Sequence, residues 1–96
     1  MKLEVGTRIY NGGDMANIEH FGTITRVQKD RWGTSYWIMP DADSERTKEY
    51  SIPPVMVSPE YDGTGRTRIV TEAAYLAWRE KQAARFRDHA QKAIGA

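Results

Sequence analysis

The chain has 96 residues, with 14 Lys+Arg against 13 Asp+Glu, a formal net charge of +1 and no cysteine. Charge is balanced in each half as well, 7 basic against 7 acidic side chains over residues 1–48 and 7 against 6 over residues 49–96, so composition excludes a strongly basic nucleic-acid protein. The lack of cysteine excludes a disulfide scaffold, a thiolate metal site and a cysteine nucleophile, and the length suits one domain over residues 1–96.

In chain order, Val5 to Tyr10 reads as a half-buried strand with Val5, Thr7 and Ile9 on one face, ended by Asn11-Gly12-Gly13-Asp14. A loop runs to about His20. Phe21 to Gln28 forms the second strand, in which Ile24 and Val27, three apart, share a face only if a bulge lies between them. Gly22 marks a tight approach or a kink. Lys29 to Thr34 is a hairpin turn with Gly33 in the left-handed region. All four residues of Tyr36-Trp37-Ile38-Met39 are apolar, so both faces of this third strand need cover. Asp41 to Glu45 reads as a solvated acidic turn, Arg46 to Ile52 as a fourth strand stopped by Pro53-Pro54, and Val55 to Val57 as a short last strand.

Residues 59–70 form a Gly/Arg connector, and residues 71–94 a helix. Thr71 is its N-cap, Glu72 puts negative charge in the first turn, and Val70 with Tyr75 are spaced as a hydrophobic staple. Tyr75, Trp78, Phe86, Ala90 and Ala93 recur at helical spacing, with charged residues opposite. A helix from Glu72 to Ile94 is roughly 34 Å long at about 1.5 Å per residue, against about 17–20 Å for an ordinary strand. Its first half is expected to cover the third strand, with Tyr75 and Trp78 meeting Trp37 and Met39. The second half, with Phe86 and a row of alanines, is expected to overhang the sheet, to fray, or to pack on another chain, in the last case as a homodimer. The start Met1-Lys2-Leu3-Glu4 leads into no apolar secretory segment and no run reaches about 18 apolar residues, so the expectation is a cytoplasmic protein without a membrane span.

Val5-Gly6-Thr7-Arg8-Ile9, a glycine-bearing loop, and then Gly22-Thr23-Ile24-Thr25-Arg26-Val27 with its hairpin resemble the opening of SH3-like small barrels of the KOW or Tudor type, over residues 5–57. The resemblance implies an SH3-like small β-barrel, or a strongly bent antiparallel sheet of four to five strands, over residues 5–58; the long C-terminal amphipathic helix is not part of that pattern, and with it the expected fold class is α+β. Around Thr67-Arg68-Ile69-Val70-Thr71-Glu72-Ala73-Ala74-Tyr75 the chain also resembles accessory proteins of phages and plasmids.

No constellation supports catalysis, a cofactor or a metal. Asp41-x-Asp43-x-Glu45 lacks the glycine and the closing glutamate of a calcium loop, having Arg46 and Ile52 at those places. His20 and His89 have no second ligand at a metal spacing and read as surface residues. No serine sits in a nucleophile elbow, so no enzyme is expected. The connector Tyr61-Asp62-Gly63-Thr64-Gly65-Arg66-Thr67-Arg68 reads as a solvated link; its alternative is an anion site in which the glycines free backbone N–H groups and Arg66 and Arg68 clamp a phosphate or carboxylate. Trp32 sits at a hairpin tip, where a large ring is hard to bury. Surplus aromatic surface with balanced charge points to a protein-binding, non-catalytic module that contacts its partner through Trp32, Tyr61 and Phe86. The alternative is a nucleic-acid accessory protein using Arg66, Arg68, Arg79 and Arg85.

Overall fold

The computed structural model describes residues 3–13, 18–61, 63 and 69–95, with side chains described as far as residue 90. Five strands, β1 (Arg8–Asn11), β2 (His20–Asp30), β3 (Gly33–Pro40), β4 (Tyr50–Ile52) and β5 (Ile69–Thr71), precede one helix, α1 (Glu72–Gly95). They form a single antiparallel sheet in the order β4-β3-β2-β1-β5, followed by the C-terminal helix. The fold is therefore α+β. Of the two architectures expected, the open sheet is the one observed: β4 and β5 remain its two edges and do not pair with each other, so no barrel closes. A single 3-10 turn, Pro54–Met56, carries the chain from β4 toward the opposite edge, where Val57 bridges Ile69 and the Ser58 N–H donates to the Ile69 carbonyl at 2.8 Å.

Strand alternation separates two faces. One face gathers Ile9, Ile24, Ile38, Ile52 and Ile69, one isoleucine from each strand, into a buried cluster. The anticipated bulge is what keeps β2 in step with it. Ile24 pairs with Ile38 and Arg26 with Trp37, leaving Thr25 without a partner, so Val27 returns to the isoleucine face beside Tyr36. Gly22 is the tight approach: a Cβ there would lie 2.8 Å from the Met39 carbonyl oxygen and 2.9 Å from Ile38 Cγ2. At the hairpin, Asp30 and Gly33 flank a two-residue loop, with Gly33 at φ +127°.

Several boundaries differ from expectation for local reasons. The first strand begins at Arg8, because a turn comes before it: the Thr7 N–H donates to the Glu4 carbonyl at 3.0 Å and Gly6 sits at φ +93°. Val5 is thereby left exposed and does not share a face with Ile9. The fourth strand is only Tyr50–Ile52, since Ser44 Oγ accepts the Arg46 N–H at 2.9 Å and holds the chain out of the ladder. Residues 54–56 form the 3-10 turn rather than a strand. The fifth strand instead comes from the end of the expected connector, where the β-branched run Ile69-Val70-Thr71 pairs with β1.

Helix α1 starts as predicted: Thr71 Oγ1 accepts the Ala74 N–H at 3.1 Å. Its docking differs, because it packs on β1 and β5 rather than on β3. The cause is connectivity, since β5 lies beside β1 and runs directly into the helix. Tyr75 therefore stacks on Tyr10 at 3.6 Å between ring centroids, with Phe21, Tyr61 and Trp78 around the pair. Trp37 is covered instead by the guanidinium of Arg26, 4.3 Å from its ring centroid, while Met39 remains exposed.

Candidate functional site

Beyond Ile24 the β2–β3 hairpin outruns the other strands. β1 pairs only with His20 to Thr23, and β4 only with Tyr36 to Ile38, so residues 26–35 stand out as a two-stranded arm. Trp32 at its tip is 82% exposed. Asp30 Oδ1 accepts the Trp32 backbone N–H at 2.8 Å, which fixes the turn, and the Arg31 guanidinium lies 4.7 Å from the centre of the Trp32 ring. A tryptophan held open by a stiff turn and flanked by a guanidinium combines the two side chains that most often anchor protein interfaces.

The other predicted contact residues are not brought to this tip. Tyr61 belongs to the aromatic cluster under the helix, edge-on to Tyr10 at 5.4 Å, to Tyr75 at 5.2 Å and to Trp78 at 4.7 Å. Gly63 follows it at φ +76°, and a Cβ there would meet the Trp78 ring at 2.7 Å. In the described part of the connector, glycine thus serves close packing against an indole. Phe86 is 76% exposed on the half of α1 that outruns the sheet. It lies eleven residues after Tyr75, about three full turns, so the same helical face that docks on β1 continues past the sheet without cover. Among the described residues no ring contact joins Trp32, Tyr61 and Phe86.

Of the four arginines expected to contact anions, Arg66 and Arg68 lie outside the described residues. Arg79 and Arg85 are both exposed on α1, with Arg79 5.9 Å from the Tyr75 ring centroid. Six helical positions separate them, about one and two-thirds turns, which aims them to different sides of the helix.

Two polar clusters were not legible beforehand. His20, expected on the surface, is buried, because it pairs with Asn11 in the β1–β2 ladder and so falls on the isoleucine face. Its Nδ1 lies 2.9 Å from the Ile18 carbonyl, which can only accept, so Nδ1 carries the proton and Nε2 accepts from the Tyr50 hydroxyl at 2.7 Å. Asn11 Nδ2 donates to the same hydroxyl at 3.2 Å. This network closes one end of the core with each buried polar atom satisfied. On the helix side, Tyr10 is buried and donates to Glu19; burial, reinforced by that bond, pushes its hydroxyl pKa up.

The second cluster corrects the reading of Asp41 as part of a solvated turn. Arg8 grips both Asp41 carboxylate oxygens at 2.6 Å, with Nη1 also donating to Thr23 Oγ1 at 2.9 Å and Nε to Glu72 at 3.0 Å. One guanidinium thus ties β1, β2, the turn after β3 and the first turn of α1. The forked bonds from Arg8 hold the Asp41 carboxyl below its ordinary value of 3.8. Because the folded pKa lies below the unfolded one, the stabilisation is complete above that value and is lost as pH falls through the folded pKa. Side-chain exposures of 40% for Arg8 and 30% for Asp41 allow solvent screening, so the pair is worth about 1 kcal/mol. Urea unfolding of the wild type and of Asp41→Asn should differ by that amount at neutral pH and converge well below pH 3.8.

Among the described residues no group of three or more His, Asp or Glu side chains is arranged to hold a metal ion, and no helix is long and apolar enough to cross a membrane. In comparison with known proteins, no family model matches the chain, and neither a curated protein nor a solved structure proves similar to it.

Proposed function

We propose that this chain is a non-catalytic protein-binding module, adaptor or inhibitor in kind, whose principal anchor is Trp32. The observation that carries the reading is the 82% exposure of an indole that the arm holds clear of every other element. Water leaves such a ring favourably when a partner covers it, and a pre-formed turn lowers the entropy lost on binding. Phe86 offers a second apolar contact, or a self-association surface on α1, while Tyr61 supports the helix from within the aromatic cluster. The resemblance of the segment Thr67 to Tyr75 to accessory proteins of phages and plasmids suits a small cytoplasmic protein acting on a host protein. Nucleic-acid binding through Arg79 and Arg85 is less well supported, since the two point to different sides of α1.

Affinity capture from native host extract, with nuclease treatment, compares the wild type with Trp32→Ala. The exposed position predicts an unchanged fold by circular dichroism and loss of a discrete set of captured proteins. Capture that is indifferent to Trp32, or that disappears with nuclease, would refute the reading.

A further inference from the structure

Helix α1 is anchored at one end only. Tyr75 and Trp78 join the aromatic cluster on the sheet, but from Arg79 to His89 every residue except Ala84 is exposed, Phe86 among them. The span from Arg79 to Gly95 is about 25 Å at about 1.5 Å per residue. A helix of that length is marginal in water by itself, because most helical stability in proteins comes from packing one face.

Leu76, Arg79, Ala83, Phe86 and Ala90 follow one another at alternating steps of three and four, which lines them along one seam. Arg79 does not block it, since its guanidinium turns back toward the Tyr75 ring, 5.9 Å from the centroid. Glu80 and Arg87 flank the seam on one side, close to two turns apart, and Arg87 Nη2 donates to Glu80 Oε1 at 3.1 Å. Gln82 and His89 flank the other side. Lys81, Arg85 and Asp88 fall on the back of the helix.

Two copies can lay these seams together in either direction. Parallel, Phe86 meets Phe86, Ala83 meets Ala83 and Arg79 meets Arg79, which crowds one layer, leaves the next loose and opposes two guanidinium groups. Antiparallel, with the two-fold axis midway between Ala83 and Phe86, each Phe86 falls opposite Ala83 of the other copy and each Arg79 opposite Ala90. Large then faces small in each layer. Each Glu80 also comes beside Arg87 of the other copy, so a fully exposed bond within each chain, worth little alone, is exchanged for an opposite-charge pair across the interface.

We infer that α1 beyond Trp78 packs antiparallel on the same helix of a second copy, Phe86 against Ala83 and Glu80 against Arg87 across a two-fold axis. The inference goes beyond the protein-binding reading and does not depend on Trp32; it commits Phe86 to self-association. A dimer of this kind carries two Trp32 arms, and a partner with suitably spaced repeated sites is held at both.

Sedimentation equilibrium of the full chain across the micromolar range tests it. The wild type should approach the dimer mass at high concentration and dissociate on dilution, as suits a contact below standard size. Phe86→Ala should weaken the dimer about tenfold or more. Glu80→Arg and Arg87→Glu each set like charges across the interface and should be monomeric alone, whereas an equimolar mixture of the two should form a heterodimer with opposite charges at both places. The bond within one chain cannot produce that rescue, since neither variant retains it. Near-ultraviolet circular dichroism of the Tyr10–Tyr75 cluster checks that each variant is folded. A wild type that is monomeric throughout, a dimer indifferent to Phe86→Ala, or a mixture that stays monomeric would each overturn the proposal. Trp32→Ala should dimerise like the wild type. A monomer whose captured proteins still require Trp32 removes the dimer and leaves the protein-binding reading, and a dimer whose capture ignores Trp32 does the reverse.

Discussion

Deletion of Thr25 is expected to turn over the arm. Thr25 is the unpaired residue between the Ile24–Ile38 and Arg26–Trp37 pairs, and it alone lets two residues three apart face the same core. Side-chain direction alternates with period two, so removing one residue sends each side chain from Arg26 to Asp30 to the face it now avoids. Val27 would leave the isoleucine cluster, and Arg26 would be directed toward Tyr36 rather than over Trp37. Losing a half-buried valine and presenting a guanidinium to an apolar face should together cost about 3 kcal/mol. Urea unfolding measures the loss, and the tryptophan near-ultraviolet signal should change with it. Thr25→Ala is the control: it keeps the bulge and removes only exposed bonds from Oγ1 to the Trp37 carbonyl at 3.3 Å and to Glu49 at 2.7 Å. Its effect should stay within about 0.5 kcal/mol.

Ile38→Ala should be the most damaging single substitution in the sheet. Ile38 is fully buried, lies on the central part of β3, and is paired in register with Ile24 on one side and Tyr50 on the other. The void left by truncation has strands on both sides that cannot collapse into it without breaking their ladders, so the cost should approach the upper part of the usual range, about 4 kcal/mol. For 96 residues a total stability of about 5–14 kcal/mol is typical, so this change removes a large fraction of it. Ile38→Val, which deletes one methylene, should cost about 1 kcal/mol. Denaturant midpoints of the two variants, compared at a common slope, separate these outcomes.

The features legible in the sequence are those governed by near neighbours. The hairpin around Gly33, the bulge demanded by Ile24 and Val27, the close approach at Gly22 and the Thr71 cap each follow from residues a few positions apart, and each is present. The overhang of α1 follows from length alone. What escaped notice depends on partners far away in the chain. Ile69-Val70-Thr71 has a β-branched composition suited to a strand, but its role depends on β1, about sixty residues earlier, having a free edge. Once β5 pairs there, the helix must land on Tyr10 and Phe21 rather than on Trp37. Arg8 and Asp41 lie 33 positions apart and look like ordinary surface charges until β1 and the end of β3 are brought together. His20 misleads for the same reason, since a histidine after a polar loop carries no sign that its register partner is a core asparagine. At the candidate site, the exposure of Trp32 was legible, whereas the confinement of Tyr61 was not, because its cover comes from α1.

The cluster of five isoleucines carries a consequence for biosynthesis. Four of its members are contributed by residues 9 to 52, but the fifth, Ile69, is translated only after the connector. Until it emerges from the ribosome, β1 has a bare edge and Ile9 lacks its neighbour, and no N-terminal fragment holds the complete apolar layer. A sheet whose final strand must reach back to the first has much of its native contact energy in distant pairs, which slows folding toward the millisecond-to-second range. The nascent chain must therefore carry an incomplete sheet until Thr71 is made, and only then does α1, which follows without a break, acquire a surface on which to settle.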